Sequence, residues 1–194
     1  MVESSSLADA QLAEIYRWSD QRTFRLNMLL TADGKIHGVD GTSQSLTSDE
    51  DRRILRIIRA DADVVILGAQ SIRSEGWFLP PRGRIAVLSH SGNIPWDTCP
   101  DKSRVSVYPS IPALIHSLGE LDKNILCEGG LETAAAIALQ VGFDEIALTR
   151  VDDLSTSPIP KSFGTASEYR CESILTDESN KMSFQFWRRA VEHQ

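Results

Sequence analysis

The sequence predicts an α/β fold with a largely parallel central sheet, helices on both faces and a C-terminal antiparallel hairpin. Three observations lead there. Short apolar runs alternate with helical repeats through most of the 194 residues. One run, Asp63-Val64-Val65-Ile66-Leu67-Gly68, is almost unbroken by polar side chains, which suits a parallel strand buried on both faces. Near the C-terminus, 169–175 and 181–188 alternate apolar and polar residues across Thr176-Asp177-Glu178-Ser179-Asn180, the pattern of a hairpin.

Residues 1–6 read as a floppy polar lead. Leu7 to Asp20 carries Leu7, Leu12, Ile15 and Tyr16 at helical spacing, so an amphipathic accessory helix is expected. Phe24 to Thr31 is a strand, stopped by the Asp33-Gly34 turn signal. An irregular loop then runs to about Thr47, and Ser48-Asp49-Glu50-Asp51 opens a helix ending near Arg59, with Ile54, Leu55, Ile57 and Ile58 inward. After the strand at 63–68, Gly68-Ala69-Gln70-Ser71 turns into a short helix, and two prolines between Trp77 and Gly83 forbid long regular structure. Further strands are expected at 84–89, 104–108, 123–127 and 143–149, with helices at 111–118 and 130–141 and a long loop over 151–167.

Composition sets bounds on function. The length fits about one domain and a core that hides roughly 70% of the unfolded surface. A net charge of −7 argues against a dedicated nucleic-acid binder. The three cysteines are widely spaced, without a Cys-x-x-Cys pair, as suits free thiols in a reducing compartment. The N-terminus lacks a signal-peptide pattern, and no apolar run approaches the ~20 residues of a membrane span. A cytoplasmic protein without membrane partners is expected.

Several chemistries lack their residues. His37, His90, His116 and His193 are isolated, so no metal site is expected. There is no Gly-x-Ser-x-Gly elbow, no P-loop and no Gly-x-Gly-x-x-Gly. What stands out is Ile125-Leu126-Cys127-Glu128-Gly129-Gly130-Leu131-Glu132-Thr133, a strand, a glycine turn and an Ala-rich helix. That geometry turns backbone N–H groups and a helix N-terminus toward an anion. Glu128 falls at the strand's C-terminal end, where open α/β sheets form their ligand crevice. A plain tight turn is the competing reading of the same glycines. Loops after the other strands gather at the same sheet edge and carry glycines, hydroxyls, one lysine and a few carboxylates, a set suited to phosphates and ribose hydroxyls.

The order of these loops resembles a known family. Thr31-Ala32-Asp33-Gly34-Lys35-Ile36 comes first, then Gly41-Thr42-Ser43-Gln44-Ser45-Leu46-Thr47-Ser48. Arg59-Ala60-Asp61-Ala62-Asp63, Gly68 to Glu75, Leu79-Pro80-Pro81-Arg82 and Cys127-Glu128-Gly129-Gly130 follow. From about Phe24 to Arg150 the chain resembles the reductase domain of the bacterial riboflavin-biosynthesis deaminase–reductase, a relative of dihydrofolate reductase. The resemblance implies a dihydrofolate reductase-like fold, with 1–23 as lead and accessory helix and 24–194 as the reductase domain. It implies NADPH as cofactor and, as substrate, a small phosphorylated molecule, 5-amino-6-(5-phosphoribosylamino)uracil, reduced by hydride transfer to its ribose. The deaminase partner domain has no counterpart motif here.

By motif, substrate contacts fall on Ser43, Arg59, Leu79, Arg82 and Glu128. Cofactor contacts fall on Ser45, Ser71, Glu75, Ser89, Gly129, Gly130, Leu131, Glu132 and Thr133. Lys35 and Glu128 are the polar groups expected nearest the reacting ribose. Arg59 and Arg82 together would clamp the substrate phosphate through charge-assisted hydrogen bonds. Plainer roles exist for each: a helix C-terminal charge for Arg59, a solvated loop residue for Arg82, a turn hydroxyl for Ser43, and exposed strand-end or turn charges for Glu128 and Lys35. Arg84, or Ser89 with His90, are candidates for reading a cofactor 2′-phosphate. Ser71, Glu75, Ser45 and Gly76-Trp77-Phe78 depart from the family's usual residues. Reduction of dihydrofolate or another pterin, and NADPH binding without turnover, are the alternative functions. The family also implies a homodimer, for which the terminal hairpin would offer an edge.

Overall fold

A computed structural model of the chain describes residues 1–154, 158–165 and 167–190. Its elements run β1 (Val2–Glu3), α1 (Asp9–Ile15), β2 (Thr23–Thr31), α2 (Asp49–Ala60), β3 (Val64–Gly68), α3 (Ala69–Glu75), β4 (Arg84–Leu88) and β5 (Val105–Tyr108). There follow α4 (Ile111–His116), β6 (Asn124–Cys127), α5 (Leu131–Gln140), β7 (Glu145–Val151), β8 (Tyr169–Asp177) and β9 (Met182–Arg189). The strands form one sheet in the order β1-β8-β9-β7-β2-β6-β3-β4-β5. β9 pairs antiparallel with β7 and β8, and the remaining pairings are parallel.

The apolar runs are unbroken because both faces of the sheet are covered. Along β3, Val65 and Leu67 enter a core built with α1, α2 and α3, while Val64 and Ile66 enter a second core with α4 and α5. The alternation follows from the two-residue period of a strand. Of the loop expected over 151–167, positions 155–157 and 166 lie outside the described residues; Lys161–Phe163 forms a 3-10 turn that buries Phe163.

The polar lead is not floppy. Val2 and Glu3 pair with Leu175 and Thr176 of β8, and Ser4 is fully buried behind them. The accessory helix is shorter than its apolar spacing suggests, ending at Ile15. Its end is captured by Arg25, which donates to the Tyr16 carbonyl at 2.9 Å and the Arg17 carbonyl at 3.3 Å. Trp18 then folds over the guanidinium, 3.8 Å from its ring centroid. Arg25 is fully buried in β2 and is charge-paired with Glu145 of β7, which also accepts from Arg188 at 3.0 Å. A buried cation needs such a partner, because leaving it unpaired in the interior is expensive. In the terminal hairpin β9 is interior to the sheet, and β1 pairs with Leu175 and Thr176 of β8, so among the described residues the rest of the outer edge of β8, from Tyr169 to Ile174, has no strand paired to it.

The strand order opens a crevice. β3 and β6 are neighbours, yet α3 leaves β3 into one core and α5 leaves β6 into the other. Helices diverging from adjacent parallel strands part at the strands' C-terminal ends, the switch point at which α/β sheets take ligands.

Candidate active site

The helix starts at this crevice differ from those of α2 and α4. Ser48 Oγ caps α2 by accepting from Asp51 N, and Ser110 Oγ caps α4 by accepting from Ala113 N. α3 and α5 begin at Gly68 and Gly130, which bring no side-chain cap. Their first-turn N–H groups and positive dipole ends therefore face the crevice from both sides. Thr133 packs between the two turns. A Cβ on Gly129 would sit 2.5 Å from Thr133 Cγ2, and one on Gly68 would sit 3.5 Å from Thr133 Oγ1. Gly129 is thus required by space.

Beside the crevice lies a cavity of about 310 Å3 on the α2 face of the sheet. Its floor includes Asn27 and Leu29 of β2 and Thr149 of β7. Asp51, Leu55 and Arg59 wall it from α2 at four-residue spacing, one stripe of the helix. Helical side chains lean toward their own N-terminus, which carries Arg59 from the last turn of α2 back to the cavity. There its Nε donates to both Glu128 oxygens at 2.9 and 3.1 Å, and its Nη2 donates to Oε2 at 2.6 Å. Phe78 covers the guanidinium, 3.7 Å from ring centroid to Cζ. Leu55, expected to point into the core with its neighbours, instead lines the cavity.

Of the residues singled out in the sequence, Ser43, Arg59, Ser71, Glu75, Glu128, Gly129 and Gly130 line this cavity together. Glu75 also accepts from Ser43 N at 3.0 Å, tying the loop before α2 to the end of α3. Thr133 lies at the adjoining turn, as described. Leu131 packs into the core beneath, and Glu132 is exposed on the first turn of α5. Ser89 follows β4 at the same sheet edge, its N–H donating to the Tyr108 carbonyl at 3.0 Å.

Other expectations need correction. Arg82 does not join Arg59. It sits two residues before β4, at the opposite edge of the sheet, where it pairs with Asp61 at 3.3 Å in a separate hollow with Asp9 and Asp63. The loop before a parallel strand reaches the wrong edge for a ligand held at the strand ends. Arg84 fails as a 2′-phosphate reader for the same reason: it opens β4 and pairs with Asp122 at 2.9 Å. Lys35 lies outside the cavity lining, paired with Asp33 at 2.7 Å and 71% exposed. Ser45 is turned to Asp40 at 2.8 Å, and Leu79 packs on the core.

Asp51, in sequence only part of the Ser48-Asp49-Glu50-Asp51 pattern that opens α2, turns its side chain to the cavity. One oxygen accepts from Thr47 Oγ1 at 2.5 Å and the other from Thr149 Oγ1 at 2.8 Å. The four-residue spacing to Leu55 and Arg59 was the available signal. Trp77 and Phe78, which in sequence stand out only as a departure from the family's usual residues, both line the cavity.

The residues fit the NADPH that the family implies. Two uncapped helix starts suit a dinucleotide's pyrophosphate, and Gly129-Gly130 bares the backbone beside them. Among the described residues no group of three His, Cys, Asp or Glu side chains is placed to hold a metal ion. No helix among them is long and apolar enough to cross a membrane.

Comparison with known proteins agrees with this architecture. No curated protein sequence matches the chain. A pyrimidine reductase-like protein from Corynebacterium diphtheriae superposes with a TM-score of 0.67 at 16% identity, covering 98% of this chain and 100% of that one. Dihydrofolate reductase from Enterococcus faecalis, in complex with NADP(H) and RAB-propyl, superposes with a TM-score of 0.63 at 13% identity, covering 88% of this chain and 98% of that one. At such identities these likenesses establish the fold, which is dihydrofolate reductase-like. The model of the RibD C-terminal domain matches residues 22–151, two thirds of the sequence, and the chain belongs to that reductase family.

Proposed function

We propose that the protein is an NADPH-dependent reductase of a phosphoribosylamino-pyrimidine, 5-amino-6-(5-phosphoribosylamino)uracil or a close relative of it, in riboflavin assembly. One observation carries the reading: two unlike half-sites meet at the β3–β6 switch point. The uncapped starts of α3 and α5 suit an anionic dinucleotide, and the neighbouring cavity offers Asp51 and Glu128 to an N–H- and O–H-rich molecule. NADPH, when bound, supplies the hydride. The chain's own residues orient the acceptor and exclude water. Asp51, held by Thr47 and Thr149, presents a fixed carboxylate for the N–H edge of an aminopyrimidine. Glu128, held by Arg59, presents another to the sugar hydroxyls.

The test is NADPH oxidation by the purified protein with the ribosylamino-pyrimidine and its 5′-phosphate. Turnover that tracks substrate concentration supports the assignment, and its absence with both compounds removes it. Asp51 also favours a second reading, since the 2-amino and N3–H groups of a pterin offer a carboxylate a pair of donors, as the N1–H and 6-N–H groups of the aminouracil do. Dihydrofolate turnover exceeding that of the pyrimidines in the same assay would select it. Tight NADPH binding with no turnover of any of the three would select the non-catalytic reading. The homodimer belongs to the proposal too, and light scattering at assay concentration distinguishes it from a monomer.

A further inference from the structure

Arg59 is held where a phosphate-binding arginine would be free. One edge of its guanidinium forks onto Glu128, with three donor–acceptor distances of 2.6 to 3.1 Å. One face lies on Phe78. The Glu128 side chain is only 8% exposed, so its charge is poorly screened by water. A phosphate brought to this guanidinium would meet that carboxylate at close range. The rest of the cavity does not compensate. Its lining carries Asp51, Glu75 and Glu128 against Arg52 and Arg59, and Arg52 is itself paired with Asp49 at 3.0 Å. The second arginine expected at the clamp stands at the other sheet edge.

We infer that Arg59 is a positioning residue for Glu128 and grips no phosphate, so the cavity takes the unphosphorylated form of its substrate as readily as the phosphate ester. The inference rests on the reductase reading for its substrate and on the Arg59–Glu128–Phe78 geometry for its chemistry. A free guanidinium has five donors in a planar fork, and a bidentate carboxylate on one edge with a ring on one face fixes that fork in a single orientation. Its effect is transmitted through where it points Glu128.

Two measurements test this. In the first, kcat and KM are determined for the ribosylamino-pyrimidine and its 5′-phosphate. The ratio of kcat/KM values is expected within about threefold, whereas a gripped phosphate would favour the ester by about tenfold or more, the worth of a charged hydrogen bond. Arg59→Lys keeps the charge and loses the fork. It is expected to lower kcat for both compounds alike, and a KM increase confined to the ester overturns the inference. The second measurement needs no turnover. The Arg59 Nε–H resonance, identified by its loss in Arg59→Lys, is followed by NMR as inorganic phosphate is added. It is expected to stay fixed in the native protein and to move in Glu128→Gln, where the carboxylate charge is gone. A native signal that moves, or a Glu128→Gln signal that does not, overturns the inference. If neither compound is reduced, the reductase reading fails, while the resonance still decides what Arg59 does.

Discussion

Gly129→Ala probes the switch point through a single methyl group. The added Cβ would lie 2.5 Å from Thr133 Cγ2 and 2.7 Å from Thr133 Cβ, well inside contact distance. Gly129 does not have a positive φ, so the penalty is one of space and not of backbone conformation. Thr133 cannot yield by rotating a long side chain, because its Cβ is itself in the clash; the first turn of α5 must move. Overpacking of this kind costs about 1–3 kcal/mol. For a chain of this length that corresponds to a fall in Tm of roughly 2–12 °C. The same displacement moves the free N–H groups of 131–133, and we expect the Kd for NADPH to rise about tenfold, equivalent to about 1.4 kcal/mol. Thr133→Ala in the same chain removes Cγ2 and Oγ1 but keeps the Cβ at 2.7 Å, so it should recover part, not all, of both losses, a coupling within the range of about 0.5–3 kcal/mol for residues in contact. Thermal melts and NADPH fluorescence titration read the two effects. Unchanged Tm and Kd in Gly129→Ala, or no recovery in the double variant, would refute the packing argument.

Three further outcomes follow from other parts of the molecule. Asp51→Asn should leave NADPH affinity within about twofold and raise substrate KM about tenfold or more, through loss of a charged hydrogen bond; an unaltered KM would remove Asp51 from the site. Arg25→Met leaves Glu145 to Arg188 alone and strips the cover from Trp18. Breaking such a buried pair should cost about 3–5 kcal/mol, read by urea denaturation, and a loss under ~1 kcal/mol would contradict it. Burial pushes the Cys127 thiol up to about 12. At pH 8 its thiolate is then about one part in ten thousand, so iodoacetamide should label half-buried Cys99 far faster than Cys127 in the native protein. Equal labelling rates would show that the β6 end is open.

The fold was legible because the strands are buried on both faces. Runs such as Val64-Val65-Ile66-Leu67 have no plausible home other than the interior of a parallel sheet, and the capping serine before α2 marked that helix's start. Val2–Glu3 escaped notice because two residues carry no periodicity, and their pairing depends on a strand more than 170 positions away. The site was legible where a motif follows a strand. Glu128-Gly129-Gly130 and the Gly68 turn landed at the crevice because strand ends share one sheet edge. Arg82 failed on the same rule, since it precedes its strand. Asp51 was hidden by an ordinary role: an acid in a helix's first turn needs no further explanation, and only β7, almost a hundred residues on, brings Thr149 to it.

A crystal structure with NADPH bound tests the central claim most directly. The pyrophosphate should rest on the N–H groups that open α5, between Gly68 and Gly130, with the nicotinamide turned toward the cavity that holds Asp51 and Glu128. A cofactor seated at the opposite edge of the sheet, or a nicotinamide facing away from Glu128, would contradict it.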